Sequence, residues 1–157
     1  VAADRFLALR VQPAKRAARN HQQETRDPLG NAVLNSALPA APAEDLQMMY
    51  INLIDSLTPS HLRVLKLFDN PHKWAEETNK PFPNKWAMGG TSLVIEHAYP
   101  ELANNSLLYR QIVKDLASYG LAEIPAGMMT ASGIFDSRTT DLGKRFLRFI
   151  SAPPQLK

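Results

Sequence analysis

Residues 104–124 read NNSLLYRQIVKDLASYGLAEI and residues 139–150 read TTDLGKRFLRFI, and these two stretches decide the fold. In the first, apolar residues recur at three- and four-residue spacing, which predicts an amphipathic helix from Asn104 or Asn105 to a stop at Gly120. A hairpin and a last helix are expected next, with strands at Leu121–Ile124 and Ile134–Thr139, a loop at 125–133 and a helix at Asp141–Ile150. This order of helix, hairpin and helix is typical of a winged helix-turn-helix domain.

The predicted helix carries polar residues on the side opposite its apolar residues. They are Ser106, Arg110, Gln111 and Lys114. Arginine and glutamine can hydrogen-bond to base edges in the major groove, and serine and lysine can reach phosphates. Arg138, on the return strand, would flank the phosphate backbone. The pattern therefore predicts a site for double-stranded DNA, with a plain solvated helix face as the alternative.

Two segments resemble known bacterial families. RQIVKDLASYGLAEI resembles the recognition helix and first wing strand of bacterial winged-helix repressors, and TTDLGKRFLRFI resembles the start of their post-wing helix. That resemblance covers the last third of the chain and implies a regulator that binds DNA. Residues 43–71, AEDLQMMYINLIDSLTPSHLRVLKLFDNP, are similar to the helix pair of abortive-infection alpha-type proteins. The second resemblance implies a phage-defence module that acts through protein contacts without DNA.

Charge divides the chain into two parts. Residues 1–43 contain six basic and three acidic residues, whereas residues 44–157 contain twelve of each. We expect a basic helical arm and a Pro/Ala connector over 1–43, followed by a mainly α winged-helix-like domain with a small antiparallel β-hairpin over 44–157. Basic residues of the arm would add non-specific electrostatic contacts to nucleic acid. They are Arg5, Arg10, Lys15, Arg16 and Arg19.

An irregular, proline-bearing segment over residues 69–90 contains Trp74, Phe82 and Trp86. Tryptophan is enriched at the centres of protein interfaces, so the three rings form a candidate surface for a protein partner or for self-association. The alternative is that the rings only cover the helical core.

Little in the chain indicates catalysis. The sequence has no cysteine, and its four histidines lack the spacing of metal ligands. Gly89-Gly90 lacks the Lys-Ser/Thr ending of a phosphate loop, and Ser132 lacks the preceding glycine of a nucleophile elbow. We therefore expect a cytoplasmic binding module without metal, cofactor, enzymatic activity or membrane-spanning segment.

Overall fold

The computed structural model describes residues 27–86 and 88–154. The Arg5–Arg19 arm predicted from the sequence lies outside the described residues. The protein is mainly helical with a small two-stranded antiparallel sheet, which confirms the predicted fold class at that level. The helices are α1 (27–36), α2 (Glu44–Ser56), α3 (Pro59–Asp69), α4 (Pro71–Thr78), α5 (Thr91–Ala98), α6 (Pro100–Ala103), α7 (Ser106–Ser118), α8 (Ala131–Ile134) and α9 (Asp141–Phe149). The strands are β1 (Met88–Gly90) and β2 (Met128–Thr130).

One compact unit contains α1, α2 and the segment 149–154. Its core includes Tyr50 and Phe149, whose ring centroids lie 5.2 Å apart. The amide of Asn35, itself 8% exposed, donates to the carbonyls of Phe149 (2.8 Å) and Ser151 (2.9 Å). Asn31 donates to the carbonyl of Ile150 at 3.0 Å. Two asparagine side chains thus tie α1 to the segment 149–151.

Residues 27–36 correct one prediction, because they form α1 where the sequence predicted an exposed connector. The asparagines and glycine there are typical of turns, but Ala32 is fully buried and Asn35 is nearly so. Tertiary contacts of α1 outweigh the weak local preference.

The second unit, Ser60–Arg148, packs around residues of α3, α5 and α7. Its fully buried side chains include Leu65, Phe68, Ile112, Leu116 and Phe146. A buried chain of hydrogen bonds runs through it: Trp74 Nε1 donates to the Tyr99 hydroxyl at 3.1 Å, and that hydroxyl donates to the Arg63 carbonyl at 3.0 Å. The buried Trp74 indole N–H and the buried Tyr99 hydroxyl therefore both have hydrogen-bond partners, as a stable core requires.

The strands differ from the predicted hairpin. β1 pairs with β2 in antiparallel register, with Gly89 opposite Met129, so the partner of residues 128–130 precedes α5. The two segments predicted to pair meet only at one bridge, between Ala122 and Thr139. Glu123 N donates there to the Arg138 carbonyl at 2.8 Å, and Thr140 N donates to the Leu121 carbonyl at 3.0 Å.

Two contacts explain why this pairing stops after one bridge. Arg138 N donates to the Phe68 carbonyl at 2.7 Å, and the Thr139 hydroxyl donates to Asp69 Oδ1 at 2.6 Å. The Phe68 carbonyl therefore takes the Arg138 N–H that a longer hairpin would use, and the Thr139 side chain holds the same segment against the end of α3. Residues 131–134, expected in part as loop tip, instead form α8.

The TTDLG sequence at the start of α9 has a clear structural reason. The Thr140 hydroxyl donates to the Gly120 carbonyl at 2.6 Å and accepts from Gly143 N at 3.0 Å. A Cβ atom at Gly143 would overlap the Leu121 carbonyl oxygen, so this position has room only for glycine. The start of α9 thus lies directly against the chain that leaves α7.

Candidate nucleic-acid interface

Helix α7 begins and ends as the sequence predicts. The Asn105 side chain accepts from Leu108 N at 3.2 Å and caps the first turn. Gly120 follows the helix with φ +68°, the left-handed conformation that glycine adopts without strain. Ile112 and Leu116 are fully buried, so the opposite side of α7 faces solvent.

The four predicted contact residues of α7 are all exposed. They are Ser106, Arg110, Gln111 and Lys114. Residues 107, 110, 111 and 114 follow helical spacing, so Arg110, Gln111 and Lys114 share one stripe with Leu107. We call Leu107, Arg110, Gln111 and Lys114 the α7 stripe.

Exposed leucines at the start of α7 were not expected. Leu107 is 80% exposed and Leu108, which the helical pattern places inside, is 42% exposed. Leu107 stands directly on the α7 stripe. Its position could be inferred from helical spacing, but an exposed leucine carries no chemical signal of its own in a sequence.

The carboxylates that lie around α7 are held by neighbouring side chains. Asp115 accepts from Gln111 Nε2 at 2.6 Å and lies 3.2 Å from His61 Nε2, which belongs to α3. Glu96 accepts from the Tyr109 hydroxyl at 3.2 Å, and Glu101 pairs with Arg63 at 2.9 Å. Within the described part of the chain, by contrast, Arg110 and Lys114 have no ion pair within 4.0 Å. The stripe therefore presents two positive charges that are not ion-paired, beside an Asp115 carboxylate that is held by Gln111 and His61.

The hydrogen bonds from His61 and then Gln111 lower the pKa of Asp115. Because the folded pKa lies below the ordinary value of 3.8, this stabilisation is present above pH 3.8 and is lost as pH falls through the folded pKa. We expect Asp115→Asn to lower the urea midpoint at pH 7, with a difference from the parent protein that closes below about pH 4.

Urea titrations at several pH values, followed by circular dichroism, measure this prediction. Asp55→Asn is the matched control, since it makes the same charge change at an exposed position of α2. A midpoint difference for Asp115→Asn that stays constant down to pH 2 would contradict the assigned role of the carboxylate.

Arg138 lies apart from the solvent-facing set. Its side chain is 22% exposed, and Nη2 donates to the Gly133 carbonyl at 2.6 Å and contacts Met129 Sδ at 3.3 Å and Asp136 Oδ2 at 3.7 Å. The guanidinium is thus engaged within residues 129–136. In this arrangement it braces that segment.

The three aromatic residues predicted as a partner surface lie together. Trp74 is 9% exposed and stacks on Phe82, which also contacts Trp86, with centroid distances of 5.9 Å for each pair. Phe135 completes the group at 4.8 Å from Phe82 and 6.2 Å from Trp86. Phe82, Trp86 and Phe135 are half-buried, and Trp74 belongs to the core. The sequence did not predict that Phe135 belongs to this group, because Phe135 lies 49 positions beyond Trp86 in the chain.

Among residues 27–86 and 88–154, no three His, Cys, Asp or Glu side chains converge to hold a metal ion. Over the same residues, no helix combines the length and the apolar character needed to cross a bilayer. No protein-family model, curated protein or solved structure matches the chain.

Proposed function

We propose that the protein binds double-stranded DNA and inserts α7 into the major groove. The observation that carries this proposal is the α7 stripe, which is exposed and backed by a buried face, and whose two cations, Arg110 and Lys114, have no ion pair within 4.0 Å among the described residues. The order of α5, α7 and the 121–140 segment is consistent with a winged helix-turn-helix domain, which we propose as the finer description of the fold.

Each side chain of the stripe has a defined role in this proposal. Arg110 can donate two hydrogen bonds to a guanine edge, and Lys114 reaches a phosphate. Leu107 offers an apolar contact to a thymine methyl group. Gln111 can pair with adenine only if its hydrogen bond to Asp115 breaks. Breaking that bond reduces the binding free energy that the contact with adenine supplies.

Local charge supports the proposal more than the total charge does. Residues 60–148 contain eleven basic and nine acidic residues, which is almost neutral. Among the described residues, Arg63, Lys73 and Arg138 form ion pairs with carboxylates, whereas Arg110, Lys114, Lys144 and Arg145 have none within 4.0 Å. A nearly neutral composition therefore leaves cations available at the surface. Arg138, which the sequence placed in the DNA-binding set, instead supports the site by bracing residues 129–136.

The test is binding to a labelled mixed-sequence duplex of about 25 base pairs, roughly two helical turns. We expect the parent protein to bind at about 50 mM salt, and the double variant Arg110→Ala, Lys114→Ala to bind at least about 10-fold more weakly, because one base contact is worth roughly 1–3 kcal/mol. Fluorescence anisotropy measures both.

The control variant is Lys66→Ala, Lys85→Ala, which removes the same charge from two exposed lysines away from α7. We expect it to bind like the parent protein. Absence of binding by the parent, or equal weakening by the two double variants, would refute α7 as a DNA-reading helix.

A second candidate function is protein binding, as the abortive-infection resemblance implies. The observation in its favour is exposed apolar surface in the second unit: Leu107 is 80%, Met128 73% and Met88 64% exposed. Phe82, Trp86 and Phe135 add half-exposed aromatic surface. Sedimentation velocity separates the two candidates, since self-association that persists at high salt without DNA favours the second.

A further inference from the structure

A second cationic surface lies on α9. Its exposed residues follow helical spacing and form one stripe, whereas Phe146 and Leu147 on the other side are buried. The stripe consists of Asp141, Lys144, Arg145 and Arg148. Three cations and one carboxylate thus face solvent along two turns of the helix.

Lys144 and Arg145, the two cations at the start of this stripe, have no ion pair with a carboxylate of their own helix. Asp141 and Arg145 have the spacing of an ordinary intrahelical ion pair, yet their charged atoms are not within 4.0 Å. Lys144 likewise has no carboxylate within that distance among the residues that the structure describes. Asp141 lies in the first turn, where a negative charge stabilises the helix dipole.

The start of α9 is fixed against the end of α7. The Thr140 hydroxyl binds the Gly120 carbonyl at 2.6 Å, and Gly143 lies in direct contact with the Leu121 backbone. Lys144 and Arg145 immediately follow that contact. Their position relative to α7 is therefore set by backbone contacts and does not depend on a flexible linker.

The distance between the two surfaces suits one DNA duplex. Lys114 precedes Gly120 by six residues, roughly 9 Å along a helix, and Lys144 follows Thr140 by one turn, roughly 6 Å. Both spans together are shorter than one helical turn of DNA, which is roughly 34 Å. Long lysine and arginine side chains add reach at each end.

We infer that Lys144 and Arg145 form a second phosphate-binding surface, which contacts the backbone of the same duplex that α7 reads. This inference rests on the proposed function and extends it from one helix to two. Phosphate contacts position a protein on DNA without reading its sequence. The α9 surface therefore sets affinity and salt dependence, and the α7 stripe sets sequence preference.

The experiment is a salt titration of duplex binding, from about 50 to about 200 mM salt, because the slope of log K against log salt changes by roughly 0.9 for each phosphate contact. We expect Lys144→Ala, Arg145→Ala to make the slope shallower by roughly 1.8 and to weaken binding equally on different sequences. The control Lys66→Ala, Lys85→Ala should keep the parent slope. Far-ultraviolet circular dichroism confirms that each variant retains its helices.

The outcomes separate this inference from the proposed function. If the parent protein does not bind DNA, the proposed function fails and the inference fails with it. If the α7 double variant weakens binding but the α9 variant keeps the parent slope, only the inference is overturned. A slope that falls for the α9 variant while the α7 variant binds like the parent would overturn the placement of both surfaces on one duplex.

Discussion

Gly143→Ala is expected to destabilise the second unit by about 2 kcal/mol or more, because overpacking against an immobile group typically costs 1–3 kcal/mol. The added methyl group would overlap the Leu121 carbonyl oxygen, which is a backbone atom and cannot rotate away. The start of α9 would have to move, and the hydrogen bonds of Thr140 to Gly120 and Gly143 would lengthen or break. Urea denaturation followed by circular dichroism measures the loss.

The same substitution at Gly30 is the matched control. Gly30 lies in α1, and an added Cβ there would meet no atom within 4 Å. We expect Gly30→Ala to be neutral or to stabilise the protein by up to about 1 kcal/mol, as alanine favours a helix over glycine. Equal stability of Gly143→Ala and the parent protein would show that α9 does not approach Leu121 so closely.

Tyr99→Phe is expected to cost about 1–3 kcal/mol at pH 7, since it leaves the buried Trp74 Nε1 donor without a partner. The Arg63 carbonyl loses the Tyr99 hydroxyl as a second donor, but it lies inside α3 and keeps its helical hydrogen bond. Adding Trp74→Phe should cost less in the Tyr99→Phe background than alone, because the indole donor is then already unpaired. Tyr119→Phe, at a position 43% exposed, is the control.

The same hydroxyl predicts a change at alkaline pH. Burial raises the pKa of Tyr99 from 10.0 to about 12. The unfolded chain therefore ionises first, and the stability contribution, complete below pH 10, is lost as pH rises through 12. By pH 12 the loss amounts to roughly 2 kcal/mol, at about 1.4 kcal/mol for each pKa unit and with the folded-state hydroxyl half ionised.

Unfolding measured from pH 9 to 12 checks this expectation. The parent protein should lose stability relative to Tyr99→Phe over that range, so the two curves converge. Parallel curves would mean that the Tyr99 hydroxyl is not buried in a hydrogen-bonded chain.

The limits of α7 and its outer residues could be predicted because their signals are local. Asn105 caps the helix, Gly120 ends it, and the helical period places Arg110, Gln111 and Lys114 on one side. Leu108 is an exception. The helical period places it on the inner side of α7, but the period does not show how far along the helix the core extends.

The strands could not be predicted in the same way. β1 and β2 are separated by about 40 residues, and three-residue strands carry too few side chains for a recognisable alternation. The hairpin prediction considers residues 121–139 alone, whereas the distant Phe68 carbonyl accepts the Arg138 N–H and Asp69 accepts the Thr139 hydroxyl. Arg138 is predicted as a phosphate contact from its charge and its place on the return strand, and neither reveals that the Gly133 carbonyl accepts from its guanidinium.

The attachment of residues 138–140 has a consequence for folding. Arg138 and Thr139 bind Phe68 and Asp69, so this junction closes a loop of about 70 residues. Closing a loop of that length carries an entropic cost that local helices do not, and such contacts slow folding. During synthesis on the ribosome, α3 and α7 emerge before residues 138–140, so the contacts between α3 and residues 138–140 cannot form until those residues have emerged. The Phe68 carbonyl and the Asp69 carboxylate therefore lack these native donors until synthesis has passed residue 140, so we expect this junction to form late.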